Sequence, residues 1–348
     1  MSLINEGYMK QCLNFAIKGM GNVAPNPMVG SVIVADNKII GIGYHKQYGG
    51  AHAEVNAINS VLDKKLLKKA VLYVNLEPCS HFDKTPPCVD LIIKHKIPQV
   101  VIGCVDPFAK VNGQGIKRLG RAGVDVKVNI LQNECRALNK NFFTYHEKKR
   151  PYIILKWAET ADRFIDARRD KESGLEAMQI SNRRSKILIH KWRSQMEAIM
   201  VGTNTALLDN PHLTTREVRG KNPLRVAIDR DLKIPKQFNL LDKSTPTIIF
   251  AEKNAASKHN LEFVKINFKK NIIPQILKEL YKRKVQSLMV EGGAQLLSSF
   301  IKDNLWDEMR VFSSKKKIKN GVKAPVIDLR PKKMEKIGSD KLQTFLNI

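Results

Sequence analysis

Apolar residues recur along this chain in two rhythms, and the rhythms alternate. Met9, Cys12, Leu13, Ala16 and Met20 fall at helical spacing, which predicts an amphipathic helix over Asn5 to Met20. Val29 to Ala35 is a short apolar run that reads as a buried strand. Ile39 to Tyr44, bearing Gly41 and Gly43, reads as its hairpin partner. Helix His52 to Leu62, strand Val71 to Leu76, helix Cys88 to His95 and strand Val100 to Val105 follow. Helix Gln114 to Arg121 and strand Val124 to Ile130 complete the series. Such alternation predicts a layered α/β domain with helices on both faces of a sheet.

The pattern breaks at Glu147-Lys148-Lys149-Arg150-Pro151, a charged stretch ending in proline, and resumes beyond it. Tyr152 to Ala158 reads as a strand, Ser181 to Arg193 as a helix. Ala198 to Gly202, Leu224 to Asp229 and Thr247 to Ala251 read as strands. Helix Ile272 to Arg283, strand Ser287 to Glu291, helix Ala294 to Ile301 and strand Asp307 to Ser313 follow. The expectation is two α/β domains, residues 1–147 and 152–348, joined by a linker at 148–151. No internal repeat relates them.

Composition narrows the picture. A chain of 348 residues with 43% apolar content is long enough for two cores. The net charge of +27 invites either nucleic acid as partner or a general lysine-rich bias together with an anionic small substrate. The second is favoured, because the densest clusters, Lys64-Lys65, Lys68-Lys69 and Lys315-Lys316-Lys317, lack the interleaved aromatics that stack on bases. Five cysteines, an odd number, argue against a disulfide framework and for a reducing, cytoplasmic setting. No apolar run reaches the ~20 residues of a membrane span.

The chemistry concentrates in the first half. His52-Ala53-Glu54 is followed by Pro78-Cys79 and, after eight intervening residues, by Cys88. One imidazole and two thiolates make three zinc ligands and leave a fourth position for water. Glu54, two residues past the histidine, is then placed to move that water's protons, as in hydrolytic deaminases of amino-substituted heterocycles. Residues two apart diverge inside a helix, so His52 and Glu54 converge only if the helix begins there, after Gly49-Gly50. The alternatives are a structural zinc site closed by Cys104 or His81, which leaves Glu54 without a role, and two unrelated buried cysteines. In the second half, Val290-Glu291-Gly292-Gly293 runs from a strand into a helix and reads as a phosphate-binding turn or a plain one.

Several segments together resemble one family. APNPMVGSVI (24–33), AHAE (51–54), NLEPCSHFDKTPPC (75–88) and DPFAKVNGQG (106–115) are similar to the deaminase half of the bifunctional deaminase–reductase of riboflavin biosynthesis. LKWAETAD (155–162), ISNRRSKILIHKWR (180–193), VGTNTALLDNPHLTTR (201–216), EGGAQLL (291–297) and DEMRVF (307–312) are similar to its reductase half. The resemblance implies a cytidine-deaminase-like α/β/α domain and a dihydrofolate-reductase-like α/β domain. It implies NADPH as hydride donor, a phosphoribosylated pyrimidine as substrate and a homo-oligomer. By it, Asn26, His45, Glu77 and His81 line the pyrimidine pocket. Asn26 between two prolines also reads as a turn residue, and Gly113 and Gly115 as allowing backbone close to a ligand or as an ordinary loop. Lys156, Ala158, Gln179, Thr205, Asp209 and Gly293 fall where the family holds NADPH. Ala177, Arg193, Leu213, Arg216 and Glu291 fall where it holds substrate. Two positions depart from its pattern: Arg163 stands where glycine follows the aspartate, and Gln179 where a tryptophan is usual.

Overall fold

A computed structural model describes residues 4–80, 86–108, 111–169 and 177–347. The chain folds as two compact units, Met1–Lys149 and Arg150–Ile348.

The first unit runs α1 (Glu6–Ala16), β1 (Gly30–Ala35), β2 (Lys38–Tyr44), α2 (Ala53–Ser60), β3 (Val71–Val74), α3 (Cys88–Lys94), β4 (Gln99–Ile102), α4 (Gln114–Arg121), β5 (Asp125–Lys127), α5 (Gln132–Leu138) and α6 (Lys140–Lys148). Its five strands order β2-β1-β3-β4-β5. β1 pairs antiparallel with β2 and β3, and β3, β4 and β5 are parallel. Strand residues alternate between two cores, because successive side chains leave opposite faces of a sheet. Ile33, Leu72, Val74, Val100 and Ile102 pack with Ala57, Ile58, Val89 and Ile92 on one face. Val32, Val34, Tyr73 and Val101 pack with Met9, Cys12, Phe142 and Phe143 on the other.

Two expectations change here. The first helix stops at Ala16 and tightens into a 3-10 turn over Ile17–Gly19, so it does not reach Met20 as one helix. Glu147 and Lys148 belong to α6, which ends where Lys149 turns left-handed at φ +54°. The charged run that reads as linker thus begins in the last turn of a helix at Glu147 and Lys148, with Phe142 and Phe143 holding that helix to the core.

The second unit runs β6 (Tyr152–Glu159), β7 (Phe164–Asp166), α7 (Arg183–Arg193), β8 (Ala198–Val201), α8 (Thr203–Asp209), β9 (Leu224–Ile228), β10 (Thr247–Ala251), β11 (Leu261–Lys265), α9 (Ile272–Lys282), β12 (Ser287–Val290), α10 (Ala294–Lys302), β13 (Glu308–Ser313), β14 (Val322–Lys323), β15 (Lys333–Ile337) and β16 (Asp340–Leu346). Nine strands order β11-β10-β9-β8-β12-β6-β13-β16-β15, and β7 pairs with β14 separately. From β11 to β13 the sheet is parallel, and β16 and β15 close it antiparallel. Ile153, Leu155, Met200, Val226, Phe250 and Leu288 face α9 and α10, while Ile154, Ile199, Ala227, Ile249 and Met289 face the opposite core. No helix among the described residues is long and apolar enough to cross a membrane.

Candidate functional site

In the first unit the site forms where α2, α3 and the end of β3 meet. His52 is the N-cap of α2, with extended backbone at φ −72° and ψ 167°, and Glu54 sits in the first helical turn. This is the geometry that lets the two side chains converge. Gly43 of β2 makes it attainable: a Cβ there would lie 2.2 Å from both Ala53 O and Ala57 N, so only glycine lets α2 lie that close to β2. Cys88 opens α3, and Val89 N donates to Cys79 O at 3.2 Å, which ties the two cysteine segments together.

The result is a compact donor set. His52 Nδ1 stands 3.4 Å from Cys79 Sγ and 3.3 Å from Cys88 Sγ, and Cys88 N donates to Cys79 Sγ at 3.3 Å. One ligand atom from each residue lies within 4.8 Å of the others. Cys88 shares its thiol proton with Cys79, which holds Cys79 down and pushes Cys88 up. One nitrogen and two sulfurs at this spacing fit a tetrahedral zinc with one open corner. Cys104, an alternative fourth ligand, donates instead to Asn75 O at 3.2 Å and packs in the core beside Cys135. His81 lies outside the described residues. Glu54 is 3% exposed, and burial raises its carboxyl to about 7, against the pull of His52.

Asn26 and His45 come to the same place. His45 Nδ1 donates to Ala51 O at 3.1 Å, which leaves Nε2 to accept from the Asn26 amide at 3.2 Å. The His45 and His52 rings meet edge to face at 5.5 Å. Glu77 differs from the expectation. Its Oε2 accepts from Asp106 N (3.2 Å) and Gly113 N (2.9 Å), and its Oε1 from Gly115 N (2.9 Å) and Ile116 N (3.3 Å). A carboxylate bound by four backbone amides is a tether, and it holds the start of α4 against the segment that carries Cys79. Gly115 serves the same closure: a Cβ there would sit 2.4 Å from Pro78 O. The close approach is to the chain itself.

In the second unit a cavity of about 780 Å³ opens along β6, α8 and the start of α10. Lys156, Ala158, Gln179, Thr205, Asp209, Glu291 and Gly293 all line it. Gly292 (φ +113°) and Gly293 (φ +32°) form the turn into α10, where Gly293 N donates to Thr205 Oγ1 at 2.9 Å. Glu291 receives Arg193 and, at 3.5 Å, Lys156 Nζ. Burial pushes the Glu291 carboxyl up, but Arg193 and Lys156 more than offset this and hold it at about 2. Ala177 is exposed, and Leu213 is buried in the core with φ +52°. Arg216 approaches Arg193 through Thr214, whose carbonyl binds Arg193 Nη1 (3.2 Å) and whose hydroxyl binds Arg216 Nη1 (3.1 Å).

Both departures have a structural form. Arg163 adopts φ +66°, the conformation for which glycine is expected, and its Nη2 donates to Pro325 O at 3.1 Å. Gln179 stands exposed at the cavity wall, and its carbonyl accepts from the Lys316 ammonium. Sequence reasoning missed Arg169, which lines the cavity with its side chain 3% exposed and grips Asp166 and Asp209. Nothing in the run Arg168-Arg169 distinguishes the two arginines.

Comparison with known proteins places these features. Residues 3–104 match the cytidine and deoxycytidylate deaminase zinc-binding region, and residues 151–338 match the RibD C-terminal domain. The riboflavin biosynthesis protein RibD of Aquifex aeolicus is 38% identical over 98% of both chains. That of Bacillus amyloliquefaciens is 37% identical over 89% of this chain and 84% of its own. The crystal structure of a diaminohydroxyphosphoribosylaminopyrimidine deaminase/5-amino-6-(5-phosphoribosylamino)uracil reductase from Thermotoga maritima superimposes with a TM-score of 0.87 at 34% identity, covering 99% of this chain and 98% of that one.

Proposed function

Because the chain belongs to the RibD family and is a bifunctional deaminase and reductase of riboflavin biosynthesis, we propose a substrate and a role for each site residue. The first unit hydrolyses the 2-amino group of 2,5-diamino-6-(5-phosphoribosylamino)pyrimidin-4(3H)-one. The second reduces the ribosyl group of 5-amino-6-(5-phosphoribosylamino)uracil to ribityl with NADPH. The observation that carries the reading is the convergence of His52, Cys79 and Cys88 beside the buried Glu54.

His52, Cys79 and Cys88 would hold zinc, which would supply Lewis-acid activation of a water near neutral pH. Glu54 would carry the two protons of the attacking water in turn, the first to the ring nitrogen and the second to the departing amino group, which leaves as ammonia. A carboxyl that burial holds near 7 is suited to both directions. Asn26 and His45 orient the pyrimidine. Glu77 stays out of contact with substrate and keeps Asp106, Gly113, Gly115 and Ile116 in place through its four amide bonds.

In the second unit the turn at Gly292-Gly293 receives the cofactor's phosphates at the start of α10. Lys156, Ala158, Gln179, Thr205 and Asp209 form the walls around it. The substrate's phosphoribosyl group lies toward Glu291, Arg193 and Arg216, with Ala177 and Leu213 shaping that end. The basic balance of the chain suits phosphorylated ligands at both sites. The rival reading, an RNA base deaminase with a basic binding module, is disfavoured because that half is a RibD C-terminal domain. Five free cysteines accord with a cytoplasmic setting. Exposed Val326 (83%) and Met334 (57%) are apolar surface that a homo-oligomer would cover, which sedimentation checks.

The test supplies the diaminopyrimidine to zinc-loaded protein and follows ammonia release and NADPH absorbance together. Both signals are expected. Absence of both defeats the reading, and NADH outpacing NADPH defeats the cofactor assignment.

A further inference from the structure

α7 carries the buried His190 and, three positions on, the partly buried Arg193, and so presents them on one face. Arg193 is committed to Glu291. His190 is 2% exposed, and its Nδ1 lies 3.0 Å from the backbone nitrogen of Arg216. A backbone N–H only donates, so Nδ1 is the acceptor and the imidazole is the neutral Nε2–H tautomer. The surroundings enforce this. Burial, then Arg193 and Arg216, lower the imidazole to about 4, against weaker opposition from Glu291 and Glu217.

The segment that this bond secures needs securing. Leu213 is held at φ +52° although it is not glycine, a conformation that persists only where neighbours over-determine it. Thr214 O is bound by Arg193, Thr215 N donates to Asn222 Oδ1 at 2.9 Å, and Arg216 N donates to His190. The Arg216 guanidinium forms no ion pair among the described residues, and nearby Glu217 is taken by Lys186. Lys156, Arg193 and Arg216 therefore set three cations against the single carboxylate of Glu291. That surplus matches a phosphate dianion.

We propose that His190 is a positioning residue of the reductase unit: by accepting the Arg216 N–H it fixes the Leu213–Arg216 segment, so that Arg216 stands beside Arg193 to receive the substrate phosphate. The inference rests on the phosphoribosyl reading of this unit. His190 touches no reacting atom. Its effect is on where a cation waits.

The test uses the full chain, zinc-loaded, with 5-amino-6-(5-phosphoribosylamino)uracil and NADPH. His190→Phe keeps volume and removes the acceptor. It raises KM for the uracil substrate roughly tenfold and leaves kcat within about twofold, the scale of one lost hydrogen bond. KM for NADPH and ammonia release from the diaminopyrimidine stay unchanged, which shows a folded chain. His190→Asn, whose oxygen can stand where Nδ1 stood, recovers most of the KM. An unchanged KM in H190F overturns the inference. So does a loss of kcat and both KM values that Asn does not rescue, which marks a packing role. If the wild type oxidises no NADPH, the phosphoribosyl reading fails, and amide exchange at Arg216 decides: equal protection in wild type and H190F overturns the contact, and faster exchange in H190F upholds it.

Discussion

Glu291 receives Arg193 on both of its oxygens, Nε to Oε1 at 2.8 Å and Nη2 to Oε2 at 2.7 Å. Lys156 completes a buried cluster of two cations on one carboxylate. Glu291→Gln leaves both cations without a counter-charge, at a cost of about 3–5 kcal/mol in the second unit. The folded carboxyl, at about 2, lies below its ordinary 4.5. A depressed acid contributes in full above the unfolded value and loses that contribution as pH falls through the folded one. Wild-type stability should therefore decline between pH 4.5 and about 2, by up to roughly 3 kcal/mol from this group, and E291Q should lack that component. Acid titrations of the two proteins with equal slopes in this window would count against the ion pair.

Glu77→Gln replaces one oxygen that accepts two N–H groups with an NH2 group that cannot accept from them. We expect a lower melting temperature of the first unit, by about 2–4 kcal/mol equivalent, from lost charge-assisted bonds. Zinc affinity should fall about tenfold or more, because Cys79 lies two residues away on the tethered segment. Competition with a metal-sensitive dye measures this. Unaltered affinity with altered KM for the pyrimidine would instead restore a substrate contact.

Glu54→Gln should retain zinc and fold yet lose ammonia release by about 10²–10⁴, the range for a general acid–base group. Chelator should abolish ammonia release while NADPH oxidation continues on the deaminated substrate. Metal content by atomic absorption separates the cases. An E54Q protein that still deaminates at the wild-type rate would remove Glu54 from the mechanism.

Arg163→Gly should stabilise the second unit by about 1 kcal/mol, since glycine accepts the left-handed backbone that φ +66° imposes on arginine. The lost contact to Pro325 O offsets part of the gain. Differential scanning of the two proteins reads the balance, and a destabilised R163G would show that the side-chain contact outweighs the strain.

Much of the order of strands and helices was legible where the rhythms are clean: β10 is a five-residue buried run with four apolar residues, and α4 occupies Gln114–Arg121 as expected. The β15–β16 hairpin was not. Lys333, Lys336 and Lys341 line it, and β15 is an edge strand whose charges guard against pairing with other chains, which blurs the apolar alternation. α8 is too short, at seven residues, to show a period. At the first site the residue types and spacing singled out His52, Cys79 and Cys88, which the fold brings together as a candidate metal site, but the work of Glu77 depends on amides nearly forty positions away. No local pattern carries that. His190, three residues before Arg193, was within reach of helical spacing alone.

The helices that begin at Glu6, Arg183 and Ile272 each start on an asparagine whose side chain takes up a free backbone amide. α2 starts on His52, whose ring makes no such capping bond. The opening turn of α2 thus depends on support from beyond the helix, from the glycine-lined strand beneath it and from whatever the imidazole grips. Ion binding should therefore reinforce that turn, and a chain starved of zinc should fray first at the end where Glu54 sits.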